Sequence, residues 1–310
     1  MTYQDRLFSI ADTDPRVVVM TAENRAAIRD LPRRLGSRFV DVGIAEQTLV
    51  GAAAGLALRG RVPIVHSLAT FRTMRAFEFI RTDVGIAHLP VKLIGAAAGL
   101  LSEANGPTHQ AIEDVALMRL IPGMRVCCPA DDTEMLDAIA SIAGDDAPWY
   151  MRYNPRPAAF RHRAPFVPGT AEIVAEGTDV AILTYGCLVR ECYRAVERLD
   201  DRGIAARLVN MRTLEPIDEA AILDAARQTG LVVTVEDHFA TGGLATIVAE
   251  VAAAHEIAVR LHPIAFAGRW FTPALLDDVL ECEGLSPERL AQRIKLALAA
   301  RTTIRGHLHV

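Results

Sequence analysis

Aromatic residues are scarce in this sequence of 310 residues, at 5%, and long apolar runs are missing. The longest apolar stretch lies around residues 49–58, well short of the ~20 residues that a membrane-spanning helix needs. Residues 1–17 lack the basic start and the following apolar run of a secretory signal peptide. We therefore expect a cytoplasmic protein that does not bind to or span a membrane.

The sequence also lacks clusters of like charge: the net charge is only −5, and neither terminus carries a block of like charge. A non-specific nucleic-acid partner is therefore not expected. Cys127 and Cys128 are adjacent, while Cys187, Cys192 and Cys282 are scattered without the spacing of metal ligands. The five thiols predict neither a metal site nor a disulfide framework, and they suit a reducing compartment.

The chain is longer than one hydrophobic core usually organises, which predicts two domains. In its first half, short β-branched runs alternate with alanine-rich helical patterns, as in α/β domains with parallel strands. The predicted strands there are residues 17–20, 39–42, 62–65, 91–95 and 125–128. The predicted helices are residues 46–58, 73–84, 109–120 and 132–143.

Residues 154–169 contain four prolines and little periodicity, which predicts a linker. The α/β pattern then resumes, with strands at 180–184, 205–210, 230–235 and 259–263 and helices at 187–200, 218–228, 242–255 and 286–300. We predict an α/β protein of two three-layer domains. Residues 1–163 form a parallel sheet of about six strands between helices, and residues 168–310 form a smaller unit with a mixed sheet, concerned mainly with subunit contacts.

Three short segments contain candidate functional residues. DVGIAEQ, residues 41–47, places Glu46 where a strand ends and a helix begins, although a carboxylate there also stabilises the helix dipole. Phe71, Met74 and Phe77 are spaced as in a core-facing helical stripe. In NGPTHQ, residues 105–110, a rigid Gly-Pro turn sets His109 at the start of a predicted helix, where it could equally be a capping residue.

The order and spacing of these segments resemble the pyrimidine-binding domain of the transketolase family, including deoxyxylulose-phosphate synthase. DVGIAEQ and GPTHQ match the motifs of that family without gaps, and a TF-containing helix start lies between them. Residues 121–124, 129–131 and 151–154 are similar to the family downstream. VEDH, residues 235–238, precedes GGL, residues 242–244, as in the C-terminal domain of the family. The resemblance covers nearly the whole chain.

The resemblance implies an enzyme that transfers a two-carbon ketol unit from a ketose donor, with thiamine diphosphate as the electron sink. Glu46 would bond to N1′ of the aminopyrimidine and move a proton there, which requires a carboxyl group in a dry pocket. Phe71 would stack on the pyrimidine ring, and Met74 and Phe77 would help to line its pocket. His109 would bond the oxygen atoms of the donor and stabilise the charge that develops there.

The diphosphate-binding domain of the family is not found in this sequence. Its Gly-Asp-Gly motif does not occur, and residues 144–146, Gly-Asp-Asp, are the nearest match. The resemblance therefore implies the β subunit of a two-chain enzyme, inactive alone. A separate α subunit would bind Mg²⁺ and the diphosphate in an α2β2 assembly.

Three further residues bear on the substrate. Arg152 matches the position where related enzymes hold a substrate phosphate, and it is implied to face the entrance of the site. Asn105 stands where transketolases commonly carry an aspartate that contacts a donor hydroxyl group. Ala97 stands where many of them place a phosphate-contacting histidine. These two departures indicate a donor of different stereochemistry, or an acceptor that is not a conventional sugar phosphate: an unusual sugar or a carrier-bound group.

Other functions remain open at this point. A β subunit of a 2-oxo acid dehydrogenase or decarboxylase shares the domain pair and the glutamate, but it does not usually carry GPTHQ. A synthase that joins pyruvate to an aldehyde, like deoxyxylulose-phosphate synthase, resembles DVGIAEQ closely. A non-catalytic scaffold would need neither Glu46, Phe71 nor His109, and the presence of all three argues against it.

Overall fold

The computed structural model describes residues 1–306, and the side chains of residues 1–300. The strands are β1 (Val17–Thr21), β2 (Phe39–Asp41), β3 (Val62–Leu68), β4 (Lys92–Ala96), β5 (Arg125–Cys127), β6 (Trp149–Arg152), β7 (Glu172–Ala175), β8 (Val180–Thr184), β9 (Ala206–Asn210), β10 (Thr213–Glu215), β11 (Val232–Phe239) and β12 (Leu261–Phe266). The α-helices are α1 (Tyr3–Thr13), α2 (Leu31–Leu35), α3 (Glu46–Leu58), α4 (Phe77–Phe79), α5 (Asp114–Arg119), α6 (Asp132–Ala143), α7 (Val189–Asp200), α8 (Glu219–Gln228), α9 (Leu244–Ala254), α10 (Leu276–Cys282) and α11 (Pro287–Gly306).

The strands form two sheets, in the orders β10-β5-β6-β4-β3-β1-β2 and β12-β11-β8-β9-β7. In the first sheet β1 to β6 are all parallel, and β10 pairs antiparallel with β5 at one edge. In the second sheet β7 is antiparallel to β9, and the other pairs are parallel. The predicted fold class, with one parallel and one mixed sheet, is confirmed. The chain does not divide cleanly at the linker, however, because β10 returns to the first sheet.

Both faces of the first sheet are buried, as is usual for parallel strands with crossover helices. Successive residues of β1 alternate between two cores: Val18 and Met20 pack in one, and Val17 and Val19 pack in the other. Helices α3 and α5 cover the first of these faces, and α1 and α6 cover the second. Within residues 1–306, no helix combines the length and the apolar character that crossing a bilayer requires.

Two predicted helices differ from the observed ones next to the candidate site. The helix predicted at 73–84 is wrong as one continuous α-helix, because π-helical turns at Phe71–Arg75 and Ile80–Gly85 flank the short α4. The helix predicted at 109–120 begins only at α5. Gly106 has φ +72°, and the amides of His109 and Gln110 both donate to its carbonyl, so the chain makes a turn there first.

The predicted linker has no helix or strand in the described structure between Arg152 and Glu172, but buried charges hold it in place. The two ring nitrogens of His162 lie 2.8 Å from Asp131, at the N-cap of α6, and 2.7 Å from Glu172, in β7. Arg212 pairs with Glu134 at 2.6 Å and with Glu172 at 2.9 Å. Through the ion pairs of His162, the linker thereby connects α6, which packs on the first sheet, to β7 of the second sheet.

His162 should make this junction pH-dependent. Burial opposes its positive charge, but the hydrogen bonds to Asp131 and Glu172 raise its pKa to about 10. Because the folded pKa is raised, the stabilisation is fully present below the unfolded pKa near 6.5 and is lost as pH rises through about 10. We expect His162→Gln to lower the free energy of unfolding by about 2 kcal/mol at pH 7.

Thermal unfolding of wild type and variant between pH 6.5 and pH 10.5 measures this effect. The gap between their melting temperatures should narrow as pH rises. His255→Gln, which removes an exposed histidine paired with Glu219, serves as the control and should change little at any pH. A gap that stays constant over the range would contradict the role given to the His162 cation.

Candidate functional site

The candidate site lies at the carboxyl edge of the first sheet, where helices begin and where open α/β sheets bind ligands. The turn between β2 and α3 is held by Asp41, whose carboxylate accepts hydrogen bonds from the amides of Gly43 and Glu23 and from Arg25. Although burial opposes its charge, these donors lower the pKa of Asp41. The first residue of α3 is Glu46, and its side chain is only 3% exposed.

Glu46 has a cationic partner that the sequence reasoning missed. Nη1 of Arg75 donates to Oε2 of Glu46 at 2.7 Å, and the Arg75 guanidinium carbon lies 4.5 Å from the centroid of the Phe71 ring. Arg75 therefore links the buried carboxylate to the aromatic ring that the resemblance pairs with it. In the sequence, the only signal for this contact is that Arg75 follows Phe71 by four residues. A π-helical turn, rather than an α-helix, brings the two side chains together.

Met74 and Phe77 do not share one environment with Phe71. Phe71 borders a cavity together with Glu46. Met74 is 40% exposed at the surface, and Phe77 packs against the hydrophobic core below. The π-helical turn breaks the helical stripe that the sequence spacing predicted, because it adds a residue to the turn. A role for Met74 and Phe77 in lining a cofactor pocket stays a prediction.

His109 lies beside Phe71, with ring centroids 5.1 Å apart and an edge-on angle of 66°. Thr108 Oγ1 is 2.9 Å from Nδ1 of His109, and Thr70 Oγ1 donates to the His109 carbonyl at 2.7 Å. The expectation that His109 starts a helix is wrong, since it lies in the turn that precedes α5. The structure nevertheless brings Glu46, Phe71 and His109 to one edge of the sheet, from three separate segments.

Asn105 lies at the end of a 3₁₀ helix, Gly99–Asn105, and is exposed. Its Nδ2 donates to the carbonyl of Ser102 at 2.9 Å, so the side chain also stabilises its own turn. The next residue, Gly106, has no room for a side chain, because a Cβ atom there would collide with Pro273 of the C-terminal unit. The segment that carries His109 is thus packed from both units.

The expectation that Arg152 faces the entrance of the site is wrong. Its side chain is only 4% exposed, and carboxylates occupy the hydrogen-bonding edges of its guanidinium group. Nε and Nη2 donate to Asp114 at 2.9 and 2.5 Å, and Nη1 donates to Asp237 at 2.6 Å. Burial opposes the charge of Arg152, but Asp114 and Asp237 hold its pKa well above the usual value. The guanidinium is therefore fully committed to protein partners.

Asp237 connects the C-terminal unit to the segment that leads to His109. Its carboxylate accepts from the amide of Leu100 at 3.3 Å, in addition to Arg152. Gly99 has φ +57°, and a Cβ atom there would overlap the Asp237 carboxylate. The spacing of the VEDH motif does not indicate that its aspartate reaches the first domain.

Two neighbouring cavities open at this edge. A cavity of roughly 340 Å³ is bordered by Glu46, Phe71, Ile44 and Leu68. A second cavity of roughly 390 Å³ is bordered by His66, Ala97 and Tyr153. They share Asn24, Ala26 and Leu68 as walls. The first compartment thus has three ionisable residues, Glu23, Arg25 and Glu46, together with an aromatic ring, and the adjoining compartment is lined by uncharged residues.

Comparisons of sequence show what this architecture is similar to. Residues 1–158 match the family model described as transketolase, pyrimidine binding domain, and residues 169–290 match that of transketolase, C-terminal domain. A 6-deoxy-6-sulfo-D-fructose transketolase subunit, SqwH, from Clostridium sp. (strain MSTE9) is 39% identical over 253 residues, 80% of this chain and 79% of the relative. A 1-deoxy-D-xylulose-5-phosphate synthase from Synechococcus sp. (strain JA-2-3B'a(2-13)) is 37% identical over 95% of this chain. The matched region is only 46% of the length of that enzyme.

A solved structure supports the same relationship. A split gene transketolase, described as an inactive β4 tetramer, superposes with a TM-score of 0.86 and 34% sequence identity. The match covers 96% of this chain and 97% of the other. The likeness therefore extends over both α/β units and the way they are joined.

Proposed function

The chain belongs to the transketolase family, and from that premise we propose that it is the β subunit of a two-chain, thiamine-diphosphate-dependent transketolase. The observation that carries the proposal is the buried Glu46 carboxylate, which borders one cavity together with the Phe71 ring. A partner chain would supply the diphosphate and Mg²⁺ site, since the chain contains no Gly-Asp-Gly motif. We also propose that the complex acts in the cytoplasm, where its five free cysteines would stay reduced.

The residues present fit the aminopyrimidine end of the cofactor. A planar heterocycle with ring nitrogens needs an aromatic or apolar wall and a carboxyl group, and the cavity supplies Phe71, Leu68 and Ile44 beside Glu46. When bound, thiamine diphosphate would supply the electron sink for breaking and making the carbon–carbon bond next to a carbonyl group. Glu46 would hold and move a proton at N1′ of the pyrimidine, and Phe71 would fix the plane of the ring.

The other residues of the site orient groups and carry hydrogen bonds. Thr108 and Thr70 fix the ring and the backbone of His109, so that its imidazole can bond a substrate oxygen on which charge develops. Arg75 donates a hydrogen bond to Glu46 in the structure and would orient that carboxylate. Asn105, which is exposed beside this segment, would contact a hydroxyl group of the donor.

Exposed apolar side chains next to the site support the need for a partner. Ile44 is 76% exposed although it borders the Glu46 cavity, and Met74 and Phe79 are exposed on the adjacent helical segment. Apolar residues clustered around a cavity are typical of a surface that another chain covers. We propose an α2β2 complex, in which an α subunit covers these residues and completes the site.

Calorimetric titration of thiamine diphosphate with Mg²⁺ tests the proposal. We expect tight binding to a mixture of this chain and its diphosphate-domain partner, and none to either chain alone. In the mixture, Glu46→Ala should weaken binding at least about tenfold, because the hydrogen bond is lost inside a desolvated pocket. Glu197→Gln, an exposed substitution on α7, is the control and should bind as wild type does. A mixture that binds no cofactor would contradict the proposal.

One second function has a specific observation in its favour. Identity to the deoxyxylulose-phosphate synthase extends over 95% of this chain, so a reaction that joins pyruvate to an aldehyde is the alternative. The two reactions differ in the fate of the donor. Release of CO₂ from pyruvate by the assembled complex, without cleavage of ketoses, would favour the synthase, and ketose cleavage would favour the transketolase.

A further inference from the structure

A further cavity lies in the C-terminal unit, at the carboxyl end of β12, which is an edge strand of the second sheet. Its walls are the end of β12 with the loop that follows, the segment between α10 and α11, and Arg293 of α11. It shares no residue with the two cavities near Glu46. Its volume is roughly 190 Å³. Ordinary small-molecule pockets occupy about 300–1,000 Å³, so this cavity suits a small ion or a single charged group.

The walls of this cavity carry more positive than negative charge. Glu283 is the only carboxylate among the described residues that border it, and its side chain is 12% exposed. Arg269 pairs with both oxygens of that carboxylate, because its Nη1 and Nη2 donate to them at 3.2 and 2.7 Å. Arg293 is a second cation on the same wall, so one positive charge remains there without a countercharge.

Arg293 has hydrogen-bond donors to spare. Its Nη1 donates to the carbonyls of Glu283 and Gly284, both at 3.3 Å, and these are its only hydrogen bonds in the described structure. Nε and Nη2 have no partner there, and they are not sealed from solvent, in contrast to Nε and Nη2 of the fully buried Arg72. A guanidinium group carries five N–H donors, so those on Nε and Nη2 of Arg293 are available to a ligand.

The guanidinium group of Arg293 lies against the main chain and is partly desolvated. Gly284 has φ +71°, and a Cβ atom there would lie 3.2 Å from Nη1 of Arg293. Burial lowers the pKa of Arg293, although the Glu283 carboxylate favours the charged form. Because charges attract more strongly where water is partly excluded, Arg293 would hold an anion more firmly than an exposed arginine does.

Neighbouring residues add positive charge rather than compensating it. His262, in β12, is half-buried, and burial, Arg293 and Arg260 together lower its pKa. In the described structure, the hydrogen bonds of Arg260 and Arg293 all go to main-chain carbonyls, and none goes to a carboxylate. The edge of the second sheet next to α11 thus presents cations whose countercharge the described chain does not supply.

We propose that this cavity binds a small dianionic oxyanion, either free phosphate or the phosphate group of a monoester, between Arg269 and Arg293. The free donors of Arg293 suit the paired hydrogen bonds with which guanidinium groups recognise phosphate oxygens. A dianion also compensates the charge of both Arg293 and Arg260, whereas a single carboxylate compensates only one of them. This binding is separate from the reaction proposed at Glu46, and it needs neither thiamine diphosphate nor a partner chain.

Calorimetric titration of the full chain with inorganic phosphate, methyl phosphate and acetate, at constant ionic strength and without cofactor, tests the proposal. We expect inorganic phosphate to bind with a Kd at least about tenfold lower than that of acetate, because only the dianion compensates two cations. Methyl phosphate should bind with a similar Kd if the ligand is a monoester, and about tenfold more weakly or worse if it is free phosphate. No binding of either phosphate, or equal affinity for acetate, would overturn the proposal and leave the function proposed at Glu46 untouched.

Substitutions with opposite expected effects locate the bound phosphate. Arg293→Met should weaken phosphate binding at least about tenfold, because the charged donors are lost. Glu283→Gln should strengthen it about threefold or more, since it removes the carboxylate that competes with the anion, and damaged packing would not produce such a gain. Arg289→Met, an exposed change on α11 that breaks a pair with Glu281, is the control and should bind within about twofold of wild type. An unchanged Kd in both Arg293→Met and Glu283→Gln would place the phosphate elsewhere and overturn the proposal.

Discussion

Replacing Glu46 with glutamine should lower kcat of the assembled complex about a thousandfold, within the range that loss of a positioned acid–base group produces. Glutamine has nearly the same shape and can still form a hydrogen bond at the buried first turn of α3, but it cannot take up or release a proton. The substitution therefore removes the proton transfer at N1′ and leaves the cavity around Phe71 unchanged.

Steady-state ketol transfer with saturating cofactor measures this loss, and calorimetry on the same complex checks that thiamine diphosphate still binds within about tenfold of wild type. The matched control is Glu197→Gln, an identical change at an exposed position of α7. If Glu46→Gln kept more than a tenth of wild-type kcat, Glu46 would not be the group that moves the proton, and the assignment of the site would fail.

Removing the charge of Arg152 should produce a large loss of stability. Arg152→Met leaves Asp114 and Asp237 buried, at 0% and 1% exposure, without the cation that compensates them. Breaking a buried ion pair by deleting one partner typically costs about 3–5 kcal/mol. The melting temperature should fall by about 10 °C, since 1 kcal/mol corresponds to about 2–4 °C in proteins of 150–250 residues.

Thermal unfolding at pH 7 measures the change, and Arg269→Met is the matched control. Arg269 pairs with Glu283 at the surface, where an ion pair contributes at most about 1 kcal/mol. The loss in Arg152→Met should shrink at low pH. Burial opposes the charge of Asp114 and Arg152 lowers its pKa, so protonation of Asp114 removes a charge that the variant leaves uncompensated. A variant as stable as the control would show that Arg152 is free to serve a substrate instead.

The parts of the fold that were predicted well have strong local signals. Helices α3 and α6 and strand β8 match their predicted bounds, because each has a clear apolar pattern, and α6 also has Asp131 as N-cap. Helix α1 was not predicted, although Thr2 and Asp5 form a capping box at its start. Strand β10 was also missed, since a strand of three residues has no periodicity to detect.

The sequence by itself determined the α/β class, the family and the grouping of Glu46, Phe71 and His109. It could do so because the carboxyl ends of parallel strands meet at one edge, so motifs that follow different strands converge without further information. Spacing along the chain was sufficient for that result, and the detailed geometry of each turn was not needed.

Only the tertiary structure decided which charges meet. Arg152 is 38 residues from Asp114 and 85 residues from Asp237, and no local pattern links them. Its burial depends on how the second sheet, which carries Asp237, docks against the first. Pairing between distant side chains is set by domain packing and by desolvation, and these act on the folded chain rather than on neighbouring residues.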